Sequence, residues 1–381
     1  MNKRKLQDFA SWAKLNLERQ IELSLKKIGI NSDSDIKRSR VVGDVTIVDG
    51  IETTFKKQFH HQREEIINHI RDDGFKHSIE QFASTWFNRI IALRFLEVHD
   101  YLDHGYKLFP KEPNTLPEIL SKLSLVKDEL GLDMAYIGSL TSAGNHNEEL
   151  YRYVLFQQCS ALGKALPMLF SSGLNYLEHF IPTPLLFGDT IINKLIEIDE
   201  EDFKEDVEII GWLYQFYVSF LREETRNKKK TEQNDIPILS QVFTPDWIVK
   251  YMAENSIGRI WLESYPTSPL KSDMKYYVDE AEQDPEVEAK LKLIRYQNVN
   301  PKEIKIIEPC SGSGHILVYC FDLLLKMYQE KGHAKKDIPT LILKNNLVGF
   351  DIDQRATQLA SFALVMRARS IDNKFFDEGR Y

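Results

Sequence analysis

The chain has 381 residues, 43% of them hydrophobic, with a net charge of −8 and three cysteines. That size and apolar content fit a soluble globular protein of two domains, at ~100 to 200 residues per domain. The acidic balance disfavours a chain wrapped in phosphate, and Cys159, Cys310 and Cys320, an odd count without CxxC spacing, disfavour a disulfide framework or a zinc site.

Met1 to Gln20 interleaves Lys3, Arg4, Lys5, Lys14, Glu18 and Arg19 with apolar residues, so no signal peptide is expected. No stretch reaches the ~18 uninterrupted apolar residues of a membrane span. The expected address is the cytoplasm, with no membrane partner. From Leu6 to Ile28, the spacing of Leu6, Phe9, Ala13, Leu17, Ile21, Ser24 and Ile28 predicts an amphipathic helix with a solvated Lys-rich flank. Asn31 to Gly50 mixes turn formers with Val41, Val42, Val45, Ile47 and Val48, and predicts a short strand or hairpin. His60, His61, His69 and His77 match no ligand spacing and read as solvated helix residues.

Gln81 to Leu102 and Glu149 to Leu169 are densely apolar and read as buried or half-buried helices, joined through a connection marked by Pro110, Pro113 and Pro117. An acidic run from Glu197 to Glu208 leads into Ile209 to Leu221, too apolar and aromatic for anything but a buried helix. Arg226 to Asp235 lacks apolar anchors; Lys228 to Lys230 could touch phosphate, but an exposed linker is the better reading. The domain boundary is placed there, giving a mainly helical domain over residues 1–235 and a second domain over residues 236–381.

In the second domain Lys302 to Ile307 reads as a short apolar strand, Glu308 to Gly314 (E-P-C-S-G-S-G) as a glycine loop, and Ile316 to Leu325 as the start of an amphipathic helix. Glycines let a backbone turn sharply and approach a ligand closely, so this is a nucleotide-like site by construction. With only Gly312 and Gly314 the dinucleotide fingerprint is not met, and no G-K-S/T is present, which disfavours NAD and ATP. A second strand follows over Asn346 to Asp353, with a helix from Gln354 to Arg369 behind it. A carboxylate at the end of that strand can accept from both ribose hydroxyls, which points to Asp351. Capping of the following helix falls to Asp353, leaving Asp351 free.

The loop E-P-C-S-G-S-G resembles the D-P-x-x-G-S-G motif of the adenine-N6 DNA methyltransferases, and G-F-D-I-D, Gly349 to Asp353, resembles their ribose-binding strand. Gln241 to Met252 (QVFTPDWIVKYM) resembles the F-T-P segment that precedes them. Over roughly Ile209 to Arg369, the chain is similar to the PglX-type adenine-specific DNA methyltransferases of BREX phage-defence systems. The resemblance implies S-adenosylmethionine as cofactor, DNA and other defence components as partners, and an α + α/β fold. In that fold a helical N-terminal domain is followed by the first part of a Rossmann-like methyltransferase sheet. It also implies residue roles. Thr244 and Pro245 are expected at the methionine end of the cofactor, Glu308 at its amino group, Gly312 and Gly314 along its backbone path and Asp351 at its ribose, with Phe243, Pro309, Cys310, Ser311 and Ile352 also expected to bind it. Glu308 departs from the commoner Asp by one methylene. Cys310 invites comparison with the Pro-Cys nucleophile of cytosine-C5 methyltransferases, but that motif is separate and later, so a small structural thiol is expected.

Transfer to an exocyclic amine needs a flipped base held by an aromatic ring and by acceptors. The resemblance implies N-P-P-Y for this, and neither it nor a close variant occurs; Asn300-Pro301-Lys302 precedes the glycine loop. The expectation is an N-terminal portion that binds cofactor and is inactive alone, with no catalytic residue of its own. The alternative is a non-catalytic interaction module that docks defence partners or DNA.

Overall fold

The first helix, α1 (Lys3–Lys27), forms where the apolar period demands it: Leu6, Phe9, Ala13, Leu17, Ile21 and Leu25 are buried, and Asn2 caps it by accepting from the Lys5 amide at 3.3 Å. The Lys-rich flank is exposed only in part. Lys14 is buried, its ammonium 3.1 Å from Glu18 and over the Phe220 ring. The molecule is a computed structural model that describes residues 2–376 apart from 143, 145, 171–174, 206, 207, 228, 229, 232–234 and 241–243. It divides into two compact units, Met1–Phe220 and Leu221–Tyr381.

In the first unit the expected hairpin is present as β1 (Ser39–Val42) and β2 (Val45–Val48), antiparallel, with β3 (Phe55–Lys56) added on the far side of β2. Gly43, at φ +63°, supplies the left-handed turn residue. Helix α2 (Phe59–Asp73) fastens this corner through Arg63, which is buried and donates to the Ile28 and Lys37 carbonyls at 2.8 and 2.6 Å. Helix α3 (Phe75–Val98) is buried along most of its length and is the unit's axis. It begins upstream of Gln81 and ends before Leu102, which is buried in the following loop.

The stretch from Glu149 to Leu169 is not one helix. Helix α4 (Asn147–Leu162) stops at Gly163, and Pro167 opens a separate turn, Pro167–Phe170. A proline has no amide proton to donate and its ring collides with the carbonyl four residues back, so it starts helices and does not continue them. The proline-marked connection carries short helices of its own, Leu123–Leu130 and Met134–Ser142. Helix α5 (Glu208–Arg226) covers the apolar run expected to be buried, with Ile209, Leu213, Tyr217 and Val218 inside. Among the described residues no helix is long and apolar enough to cross a membrane.

In the second unit α6 (Asp246–Ala253) runs through a π-turn, Glu254–Gly258, into the helix Arg259–Ser264. Strand β4 (Ile306–Glu308) leads to α7 (His315–Glu330), then α8 (Ile338–Asn345), β5 (Leu347–Gly349) and α9 (Gln354–Arg369). The two strands are parallel, with Ile306 opposite Leu347 and Glu308 opposite Gly349. Helices α7 and α8 bury Phe321, Leu324, Tyr328 and Ile342 in the unit's core. Asn346 fixes where the ladder starts: its amide donates to the Pro301 and Ile304 carbonyls at 2.7 Å and accepts from Tyr328 at 3.0 Å. The other side of the sheet is open, with Ile307 65% and Phe350 59% exposed. The whole is mostly helical with small sheets, in keeping with an α + α/β fold.

Candidate cofactor site

The parallel ladder continues past the strand ends and sets the glycine loop. Phe350 donates to the Glu308 carbonyl at 2.8 Å and Ser311 donates back to the Phe350 carbonyl at 2.9 Å. The Gly312 amide then donates to Asp351 Oδ2 at 2.8 Å, and Asp351 Oδ1 accepts from the Asp353 amide at 2.9 Å. Asp351 is therefore not free, contrary to the expectation from the sequence; its short side chain bridges the loop and the cap of the next helix. Asp353 is the cap, accepting from the Arg355 amide at 2.9 Å.

Three glycines shape this corner for different reasons. Gly314, at φ +91°, lets α7 begin hard against α9, since a Cβ there would stand 3.0 Å from Ala360. Gly312, at φ +52°, has nothing within 4 Å of the place a Cβ would take, so the crest of the loop is open. Gly349 is the residue that sequence reasoning left out: a Cβ would sit 2.7 Å from Leu317 and 3.3 Å from Ser311. Its place at the head of G-F-D-I-D was the signal for it.

Thr244 and Pro245 stand at the head of α6, which packs along α7. Asp246, in the first turn of α6, acts on His315, in the first turn of α7; Lys250 lies 5.9 Å from the Tyr319 ring; and Tyr319 donates to Glu254 at 2.6 Å. The pairings advance together, so α6 and α7 run parallel with their N-termini at one end. Pro245 occupies the N-cap of α6 and Gly314 that of α7. Burial pushes the His315 imidazole down to about 4, against the opposing pull of Asp246.

Glu308 is half-buried and accepts from the Cys310 amide at 3.2 Å. Pro309 and Cys310 are exposed, Ser311 is buried, and Ile352, 81% exposed, faces solvent. Glu308, Ser311, Gly312 and Asp351 are thus brought together by hydrogen bonds, Ile352 only by adjacency, and Thr244 and Pro245 precede the helix that packs along α7. Phe243 lies outside the described residues. Cys320 and Cys159 are buried, their thiols pushed up to about 12 and about 11. Asn300 and Pro301 form a 3-10 turn in which Asn300 accepts from Lys302 at 3.1 Å.

No protein-family model matches the chain. It is 39% identical over its full length to the adenine-specific methyltransferase BrxX of Escherichia coli O9:H4 (strain HS). It is 33% identical, over 99% of its length, to the adenine-specific methyltransferase PglX of Lacticaseibacillus casei (strain Zhang). The chain is a homologue of these adenine-specific methyltransferases. It spans about a third of the length of each, 32% and 33%. The resemblance to PglX-type methyltransferases is borne out, and it extends through the helical first unit, where the motifs were less distinctive.

Proposed function

We propose that this chain supplies the helical domain and the cofactor-holding part of a methyltransferase that transfers a methyl group to the N6 amine of adenine in DNA. On this reading it belongs to the modification component of a BREX phage-defence system in the cytoplasm, with DNA and other defence components as partners. The carrying observation is that a chain alike over its whole length to two adenine-specific methyltransferases also gathers its glycine loop, Glu308 and Asp351 into one hydrogen-bonded corner. Residues 1–235 form the helical domain and residues 236–381 the opening of a Rossmann-like sheet, of which β4 and β5 are the first parallel pair.

The residues present fit S-adenosylmethionine, which supplies an electrophilic methyl on a sulfonium when bound. An ionised carboxylate offers ~4 lone-pair positions. Asp351 uses two, on the Gly312 and Asp353 amides, and keeps capacity for two ribose hydroxyls. The open crest at Gly312 leaves backbone room for the ligand, and Gly314 turns that path into α7. Glu308 holds an acceptor for an ammonium beside exposed Pro309 and Cys310, while Phe243, Thr244 and Pro245 border the methionine end and Ile352 the ribose side. Titration calorimetry with S-adenosylmethionine tests the site. Sequencing of modified bases in host DNA with and without the intact gene tests the reaction. Loss of N6-methyladenine at one sequence motif on deletion is expected, and adenine methylation unchanged by deletion would overturn it.

A further inference from the structure

The seam between α6 and α7 is held by a buried carboxylate as well as by apolar packing. Glu254 has no solvent exposure and opens the π-turn Glu254–Gly258. Such a turn inserts one residue into the helical ladder and recurs at functional sites. Here it aims Glu254 into the unit. One oxygen accepts from the Tyr319 hydroxyl at 2.6 Å and the other from the Tyr276 amide at 2.5 Å. The next residue, Asn255, donates to the Tyr251 and Tyr276 carbonyls and accepts from the Val278 amide, each at 2.8 Å. Gly258 completes the turn, since a Cβ there would stand 2.5 Å from the Met274 sulfur.

The axis is anchored beyond the π-turn by buried Ile257, Trp261 and Leu262, while α6 itself has little apolar grip ahead of that anchor. Of its eight residues only Val249 and Ala253 are buried, and Trp247, Tyr251 and Met252 face outward. A crevice of about 420 Å³, lined by Asp246, Lys250, Glu254, Tyr319 and Asp322, opens along the same seam. A tilt or local shift of α6 ahead of that anchor would cost little in apolar contact at Val249 and Ala253. It would leave the Glu254 carboxylate buried without donors, which costs far more than a neutral contact. Burial and the Glu254 carboxylate hold the Tyr319 phenol well above its usual range, so it remains a donor.

We propose that Glu254 and Tyr319 are positioning residues for the cofactor site. Their bond fixes α6 along α7 and thereby sets Thr244 and Pro245 against the Gly312 to Gly314 loop. The inference rests on the cofactor reading above. It assigns a role to residues outside the motifs, on the second turn of α7 and just past the end of α6.

Tyr319→Phe removes one hydroxyl and keeps the ring. Calorimetric titration of the variant with S-adenosylmethionine should show affinity weakened about twofold to tenfold, the range of one lost hydrogen bond. In a Thr244→Ala background the same change should add almost nothing, because a misplaced contact and a deleted contact are equivalent. Unchanged affinity, or losses that simply add, would overturn the proposal. Glu254→Gln, which removes the charge and leaves one acceptor oxygen for two donors, is the second variant and should show the same dependence on Thr244. Amide hydrogen exchange without cofactor gives an independent reading. Residues 247–253 should exchange faster in Tyr319→Phe than in the unaltered protein, while α9 is unchanged; equal exchange would also overturn it. Failure of the unaltered protein to bind S-adenosylmethionine would sink the cofactor reading alone, and the exchange experiment would still decide the link.

Discussion

The two units treat their polar groups in opposite ways. In the first, buried charges are satisfied by the unit itself: Arg63 donates to the Ile28 and Lys37 carbonyls, Arg89 to those of Leu169 and Phe170, and Arg94 pairs with Glu97 at 2.6 Å. Burial raises the Glu97 carboxyl even with Arg94 beside it. In the second, hydrogen-bonding capacity converges on a surface loop, and Ile307, Val348, Phe350 and Ile352 on and beside the sheet face outward. Buried charges are tied down inside the first unit, as Glu254 is inside the second, while the glycine loop of the second presents its polar groups at an open corner. On the proposed reading the first unit is scaffold and the second holds the ligand.

The sharpest way to break that contrast is to damage each half and ask what is lost. Trp86 is fully buried in the first unit and donates to the Leu177 carbonyl at 3.1 Å. Trp86→Ala should cost about 3 to 5 kcal/mol in urea unfolding and leave cofactor affinity per folded molecule unchanged. A smaller, pH-dependent effect belongs to the second unit. The folded His315 pKa, about 4, lies below the unfolded value near ~6.5, so the unfolded state binds the proton more readily. Stability is therefore complete above pH ~6.5 and falls as pH drops toward about 4, by at most ~1.4 kcal/mol per pH unit for one proton. His315→Gln should flatten that limb of the unfolding profile, and an unaltered slope would place the proton elsewhere.

At the corner itself Asp351→Ala should weaken S-adenosylmethionine binding by about 1.5 to 3 kcal/mol in calorimetry, the loss of hydrogen bonds to a charged acceptor. Gly314→Ala should cost about 1 to 3 kcal/mol through left-handed strain alone, before the contact with Ala360 is counted. Its thermal midpoint checks this. The smallest effect is expected at Ile352, 81% exposed: Ile352→Ser should change stability by no more than about 0.5 kcal/mol. A large loss there would mean that the open face is packed in solution.

Much of the second unit was legible because its elements are punctuated. Asn346 begins β5, Asp353 caps α9, and Gly312 and Gly314 separate a short apolar strand from a helix. The break at Pro167 was legible in principle from proline chemistry, but the apolar density around it outweighed the signal. Lys14 lies on a polar face by periodicity, and its burial depends on Phe220, which no local pattern connects to it. The π-turn at Glu254 was hidden for a related reason: ENSIG has no composition of its own, and what bends it inward is Tyr319, Tyr276 and Met274, all distant in sequence. Gly349 was visible as the head of G-F-D-I-D, but its need to be glycine comes from Leu317 and Ser311, distant in sequence.

The parallel course of α6 and α7 has an electrostatic consequence. Each helix carries a partial positive charge of about half a unit at its N-terminus, where peptide dipoles leave amides unanswered. Two such ends side by side, at Pro245 and Gly314, concentrate that field at one mouth in a protein whose net charge is −8. Asp246 lies in the first turn of α6 and answers it. Burial keeps the His315 imidazole neutral against the pull of Asp246. The two half-units sum to about one charge, which the Asp246 carboxylate matches, so a group entering between the helix ends meets amide donors and carboxylate acceptors in near balance.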